Sequence, residues 1–382
     1  MDDGTASWAR PREAEGTTDM DYEVDLLAVG EESKGGDAIA LRYGNLTRSR
    51  AEQIVIVIDG GYTTTGHSIV DHVRTRYGTN RVDIVVSTHP DADHVTGLEV
   101  VLEEMEVGQL LMHQPWRHSS RLTEARAKGF RTLTASQRLQ ESLREASDLE
   151  AIANRHNVPI LEPFAGVETP GGIFRILGPT EQYYEELLAE IQGAAGLREA
   201  ARELMATVVE KARSVLVKET LEHETLRDDG ITSPQNNTSV ISSLTVDGTK
   251  LLFTADAGIP ALEQVLDRLE ADGFTPGDFA FVQVPHHGSR RNVGPTVLNR
   301  LLGAAGQTET HSLALVSAPK KNPENKHPAK KTENAFIRRG YDVHRTQGVA
   351  KCKSSPGAPA RAAYCPSTPV SFHDYVDEDS DT

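Results

Sequence analysis

Short runs of aliphatic and β-branched residues recur along this chain, each closed by glycine, proline or acidic residues, and between them the apolar positions shift to helical spacing. Residues 22–29, 37–43 and 53–58 read as three strands in succession, the last ending in Asp59-Gly60-Gly61. Over 66–78, Ile69, Val70, Val73 and Tyr77 fall on one helical face. The run 82–86, β-branched and apolar apart from Asp83, reads as a buried strand. Residues 98–105 read as helix and 109–113 as strand.

Residues 120–160 and 181–225 are rich in Ala, Glu, Arg and Leu without β-branched runs, and read as helical insertions around a strand at 172–179. Strands return at 239–246 and 250–254, joined by Asp247-Gly248, a strong hairpin signal. A helix near 259–269, a strand over 279–285 and another over 313–317 follow. The order of hairpin strands followed by strand–helix–strand units predicts a mixed sheet covered by helices, an α/β fold. Residues 1–21 read as a disordered acidic leader, 22–348 as one folded domain, and 349–382 as a poorly ordered acidic tail.

Composition refines this picture. An apolar content of 38% over 382 residues supports a substantial core with polar ends. The formal charge of −16 is concentrated at those ends: residues 1–25 carry a net −6 and residues 372–382 a net −5. The body is therefore only mildly acidic, which is compatible with a polyanionic substrate. No apolar run approaches the ~20 residues of a membrane span, and the acidic start lacks the apolar segment of a secretory signal. These features predict a cytoplasmic protein without a membrane partner. Cys352 and Cys365 are then expected as free thiols.

The candidate chemistry sits at strand ends. Immediately after the run 82–86 comes Ser87-Thr88-His89-Pro90-Asp91-Ala92-Asp93-His94-Val95-Thr96-Gly97, with four metal-capable side chains in six residues. Imidazole and carboxylate together suit Zn²⁺, Mn²⁺ or Fe²⁺. Two further strands end in Asp256 and in His286-His287. Alone, Asp256 could be a helix cap and the loop a simple turn. Strand ends on one side of a sheet converge on a common crevice, however, so three such ends together predict a metal site.

The pattern resembles the metallo-β-lactamase fold superfamily, whose hallmark is His-x-His-x-Asp-His followed by a later Asp and a final His. More narrowly it resembles the ComEC-type branch, the hydrolase domain of DNA-uptake proteins and its stand-alone relatives. Val29-Gly30 with Gly36-Asp37-Ala38, Asp59-Gly60-Gly61, Ser87 to Gly97, Asn236-Asn237-Thr238-Ser239 with Asp256, Val284 to Ser289, and His327-Pro328 carry the likeness across residues 22–348. The resemblance implies an αββα sandwich with helical insertions and two divalent metal ions, zinc first and manganese as the rival. His89 and Asp91 would bind the first ion and Asp93 and His94 the second, with Asp256 bridging and His287 completing the second site. A turn at Asp93-His94 would redirect the second pair of ligands. Asp91 stands where the superfamily usually has its second His, and the superfamily's middle His has no clear counterpart; His113 is the best candidate.

The implied chemistry is metal-assisted hydrolysis, with Asp93 orienting or deprotonating the nucleophile. His286, His327 and the segment containing Asn237 and Ser239 would contact substrate or steady its charge. A cluster of Lys320, Lys321, Lys326, Lys330 and Lys331 beside His327 could meet phosphates. The leading expectation is a phosphodiesterase, most specifically a nuclease acting on DNA or a nucleotide. A carboxyl-ester, lactone or thioester hydrolase is the enzymatic alternative, and a metal-stabilised binding module without turnover the non-enzymatic one.

Overall fold

Strands β1 (Asp21–Leu26), β2 (Ala38–Gly44) and β3 (Gln53–Gly60) form an antiparallel meander. Strands β4 (Arg81–Val86), β5 (Glu106–Leu111) and β6 (Ile160–Leu161) extend it in parallel. Parallel neighbours need crossovers, and helices α1 (Thr63–His72) and α2 (Ala92–Glu104) supply them. The computed structural model describes residues 20–30, 35–130, 137–193, 216–306, 312–321, 327–361 and 368–377.

The second sheet repeats this logic. Strands β7 (Phe174–Gly178), β9 (Ile241–Val246) and β10 (Thr249–Phe253) are antiparallel. Strands β11 (Phe279–Gln283), β12 (Ser312–Val316) and β13 (Tyr341–Arg345) continue in parallel from β10. Helices α6 (Ile259–Ala271), α7 (Pro295–Leu302) and α8 (Lys330–Arg338) cover its outer face.

Three apolar cores follow from two sheets with both faces covered. Ile39, Leu41, Ile56, Ile84, Leu244, Leu251 and Phe281 fill the space between the sheets. Val55, Val57, Val85, Leu98 and Val101 pack the first sheet against its helices, joined by Leu143 and Leu149 of α4 (Gln137–Arg155). The result is the expected αββα sandwich. The insertions contribute α3 (Ser120–Ala127), α4 and α5 (Glu181–Gln192) to the helical layer over the first sheet. Residues 194–215 of the second insertion lie outside the described residues.

The segment expected as a poorly ordered tail contains structure. Strand β14 (Lys351–Ser354) pairs with β1, and β15 (Tyr375–Asp377) pairs with β8 (Leu216–Lys218). Arg361 reaches the buried carboxylates of Glu23 and Asp25, donating to Glu23 Oε1 at 2.8 Å and Asp25 Oδ1 at 2.6 Å. These polar partners lie on the first strand, far away in sequence, so the tail's weak hydrophobic pattern does not reveal the pairing. Cys352, on β14, is disulfide-bonded, a correction to the free thiols expected from the missing export signal. Its segment is held on a sheet edge rather than loose in solvent. The chain's other cysteine, Cys365, lies outside the described residues.

Candidate metal centre

Four strand ends meet at one rim of the sandwich. Strand β3 closes at Asp59, β4 leads to His89, β10 to Asp256 and β11 to His286-His287. The backbone is bent into left-handed conformations at these ends, with φ of 54° at Asp59, 46° at Ala255, 47° at His286 and 54° at His287. Non-glycine residues there cost about 1–2 kcal/mol each, a strain that clusters at functional sites.

The expected turn at Asp93-His94 is instead the start of a helix. Helix α2 begins at Ala92, with Asp91 at its N-cap position and Asp93 and His94 in its first turn. His94 therefore points inward from a regular helix and is fully buried. The close seat of α2 depends on Gly97: a Cβ there would lie 1.9 Å from the carbonyl oxygen of Gly60. This contact brings the end of β3 against the helix, so that Asp59 meets His94.

The histidines share one arrangement. His94 Nδ1 lies 2.8 Å from Asp59 Oδ2, and His89 Nδ1 lies 3.1 Å from the Thr88 hydroxyl, itself bound to Asp59. His287 Nδ1 is 3.6 Å from Asp37 Oδ1, while Gln283 fixes the other oxygen of Asp37 at 2.8 Å. In all three the Nε2 atom is buried without a hydrogen-bond partner, as is Asp256 Oδ1. His94 Nε2 is 3.6 Å and His287 Nε2 3.8 Å from Asp256 Oδ1, and His287 Nε2 is 3.8 Å from Asp93 Oδ2. His89 Nε2 is 3.8 Å from Asp256 Oδ2.

These separations are too long for hydrogen bonds. They are close to the spacing between ligands around a tetrahedral ion, roughly 3.4 Å for bonds of ~2.0–2.1 Å. In His89 and His94 an orphaned buried nitrogen lies opposite a ring nitrogen held by an outer partner, the usual design of a metal-binding imidazole. In His287 both ring nitrogens lack a hydrogen bond and face the carboxylates of Asp37, Asp93 and Asp256. The residues present thus fit a divalent ion. Asp93, His94 and His287 form one compact ligand group, and Asp256 with His94 and Asp37 form another. The clusters suit one or two ions.

Burial alone would raise the pKa of Asp256, but the imidazoles of His286, His94, His287 and His89 hold it far below the ordinary carboxylate range. Burial opposes charge on His94, yet Asp256, Asp59 and Asp93 outweigh it and raise its pKa well above the usual value. Asp37 is raised because it is fully buried. The centre therefore has an excess of carboxylate charge, the electrostatics that attract a cation.

The other residues singled out from sequence divide. Asp91 is buried beside the centre, 3.8 Å from His89 Nε2, but its oxygens are engaged by protein donors. Arg138 donates to Oδ2 at 2.7 Å and Ser142 to Oδ1 at 2.9 Å, and the Gln235 amide also reaches Oδ1. His327 stacks on His286, with ring centroids 5.6 Å apart. His113 joins no ligand cluster among the described residues. It stacks on Tyr184 at 4.2 Å and meets Phe164 at 4.8 Å: β5 runs parallel to β4 and ends beside it, but the His113 ring is packed among the aromatic side chains of the insertion and not with the ligand cluster. Asn237 is spent on the backbone, accepting from Gly258 N at 3.1 Å and donating to Thr232 O at 3.3 Å. Ser239 is buried near Pro179, Tyr183 and Arg268, outside the ligand groups. Lys331 is 3% exposed, so it is not available to a phosphate at the surface; Lys326 lies outside the described residues.

Sequence reasoning gave no role to Asp37, Asp59, Arg138, Ser142 and Gln235. The first two stood in plain view, beside glycines at strand ends. The last three carried no signal, because they reach Asp91 from segments 47 to 144 residues away.

A family model, the Metallo-beta-lactamase superfamily, matches residues 43–300. The chain belongs to the metallo-β-lactamase superfamily, and its sandwich with helical insertions is that fold. No curated protein matches it. Similar solved structures include a Thermotoga maritima protein assigned to the metallo-beta-lactamases, at 9% identity and a TM-score of 0.34, covering 66% of this chain and 92% of that one. A diphosphatase from the PhnP family shows 10% identity and a TM-score of 0.35 over 87% of this chain and 98% of that one. A mutant of the CmlA beta-hydroxylase shows 12% identity and a TM-score of 0.37 over 89% of this chain and 54% of that one. Likenesses this distant carry no argument about activity. Among the described residues, no helix is long and apolar enough to cross a membrane.

Proposed function

We propose that this chain is a metal-dependent phosphodiesterase, most specifically a nuclease, with its centre at His89, Asp93, His94, Asp256 and His287. The reading rests chiefly on the three partnerless Nε2 atoms and Asp256 Oδ1, buried together at the strand-end rim. Bound divalent cations, zinc or manganese, would supply Lewis acidity and lower the pKa of water at the site.

The chain's own residues divide the remaining work. Asp59 and Thr88 hold His94 and His89 by their Nδ1 atoms and fix which nitrogen faces inward. The Asp93 side chain, 30% exposed at the edge of the cluster, is placed to orient the attacking nucleophile and take its proton. Arg138 supports an anionic substrate through its charge: its side chain is 60% exposed while its tip lies beside the metal loop. His327, stacked on His286, would steady developing charge. The ComEC-type affinity of the motifs favours DNA or a nucleotide over other phosphodiesters.

The test assays a generic phosphodiester, a lactone and linear DNA with zinc- or manganese-loaded protein and its Asp93→Ala variant. Phosphodiester cleavage by the wild type, lost in the variant, is expected. Turnover of the lactone alone would transfer the chain to the ester hydrolases. Tight metal binding without turnover of any of the three would mark a binding module.

A further inference from the structure

The first residue of the His286-His287 pair shows the same orientation as the three inward-facing histidines. His286 Nδ1 lies 3.0 Å from Asn292 Oδ1. The Asn292 amide is not free to turn, because its nitrogen donates to the carbonyl oxygens of Asp256 at 2.9 Å and Ala257 at 3.2 Å. Its oxygen must therefore face His286, and the proton on His286 belongs on Nδ1. Asn236 lies 3.2 Å from the same Nδ1 and has a buried oxygen without a partner. Turning that amide end for end gives the same N–H a second acceptor, an assignment made from the hydrogen-bond network.

With the proton on Nδ1, Nε2 carries a lone pair. That atom lies 3.3 Å from Asp256 Oδ2, the carboxylate oxygen also facing His89 Nε2 at 3.8 Å. Two lone pairs at this distance repel unless a cation lies between them. Asp91, by contrast, has little left to offer a metal: Arg138, Ser142 and Gln235 already engage both of its oxygens.

We infer that His286, and not Asp91, completes the first metal position with His89 and Asp256 Oδ2. Asp91 is a positioning residue that ties helix α4 and the short helical turn Pro234–Asn237 to the metal loop. The successive left-handed backbones of His286 and His287 explain how neighbours in sequence serve two ions. Ordinary extended residues would point to opposite sides. Here one imidazole meets each oxygen of Asp256. The inference needs the metal-binding reading but not the phosphodiester one, so it is tested by counting metal.

The purified protein is loaded separately with Zn²⁺ and Mn²⁺, dialysed, and its metal per chain measured beside its metal-induced melting shift. The wild type is expected to hold two ions, His286→Ala one, and Asp91→Asn two. Asn292→Ala should weaken the first ion by about 10–100-fold, through loss of the ring's orientation. Circular dichroism and melting of the metal-free variants separate misfolding from ligand loss. Where His286→Ala does not fold, long-range ¹H–¹⁵N spectra of wild type with and without Zn²⁺ decide. A His286 Nε2 resonance shifted on zinc binding is expected there. An Nε2 resonance unchanged by zinc would overturn the inference. So would loss of one ion from folded Asp91→Asn, or an unchanged metal count in folded His286→Ala.

Discussion

Two clusters of histidines contrast among the described residues, and one of them has the arrangement of a metal site. At the centre, His89 and His94 hold Nδ1 on Thr88 and Asp59, and these two rings together with His287 leave Nε2 bare before the carboxylates of Asp256 and Asp93. Under the insertion, His113 has both ring nitrogens bare, but it is stacked between Phe164 and Tyr184. Its neighbour His118 has both nitrogens taken by carboxylates, at 3.0 Å from Glu162 and 3.2 Å from Glu185. His118, Glu181 and Glu185 could be drawn around an ion by distance alone, yet Glu181 and Glu185 are exposed and the imidazole already has partners. A lone orphaned nitrogen does not define a ligand. What marks this centre is several orphaned nitrogens gathered on buried negative charge, two of them aimed there by a partner on the far side of the ring.

The comparison can be broken most directly by removing one histidine from each group. His94→Ala should lower turnover on the order of 10³-fold and reduce bound metal, since the ring meets both Asp59 and Asp256. His113→Phe should leave metal content and turnover at wild-type levels. Equal loss in both variants, measured by metal analysis and initial rates, would erase the distinction. A finer cut spares the ligands: Asp59→Asn should weaken metal binding by about 10–100-fold, because the amide no longer holds the charge that fixes His94 and Thr88. Glu162→Gln, the corresponding change beside His118, should leave metal affinity where it was.

Acid titration sharpens the contrast in the second group. Burial, assisted by the nearby His118 charge, pushes His113 down to about 3 from the ordinary value of 6.5. Between those pH values the unfolded chain binds a proton that the folded chain does not. Stability is therefore lost as pH falls through this window, by up to ~1.4 kcal/mol per pH unit for this group. His113→Phe should keep the aromatic stack, remove two unsatisfied nitrogens and flatten the acid side of the melting profile, gaining about 1–3 kcal/mol near neutrality. A profile as steep as wild type would show that His113 is not buried neutral. The smallest effect is expected for His118→Gln, whose lost pairs with partly exposed glutamates should cost no more than ~1 kcal/mol, with metal content unchanged in the same analysis.

The sequence by itself determined the layers of the fold and half of the centre. Periodicity marked most strands of both sheets, because strands buried on both faces read as unbroken apolar runs such as 54–58. It missed the short β6 and β8, at or within stretches read as helical, and β13, β14 and β15, whose polar alternation resembles loop, and with them the tail's attachment through Arg361. The cluster from His89 to His94 was legible because a metal-binding segment concentrates rare side chains within a few residues. Asp256 and His287 were legible as strand ends. Only the tertiary structure decided which nitrogen of each ring faces inward. It alone brought Arg138, Ser142 and Gln235 onto Asp91 and packed His113 among aromatic rings instead of with the ligands. Those outcomes depend on contacts between residues tens to hundreds of positions apart, and on backbone angles at His286 and His287 that no local pattern encodes. Composition names the atoms able to hold a metal; packing and the second layer of hydrogen bonds decide which of them are aimed at one.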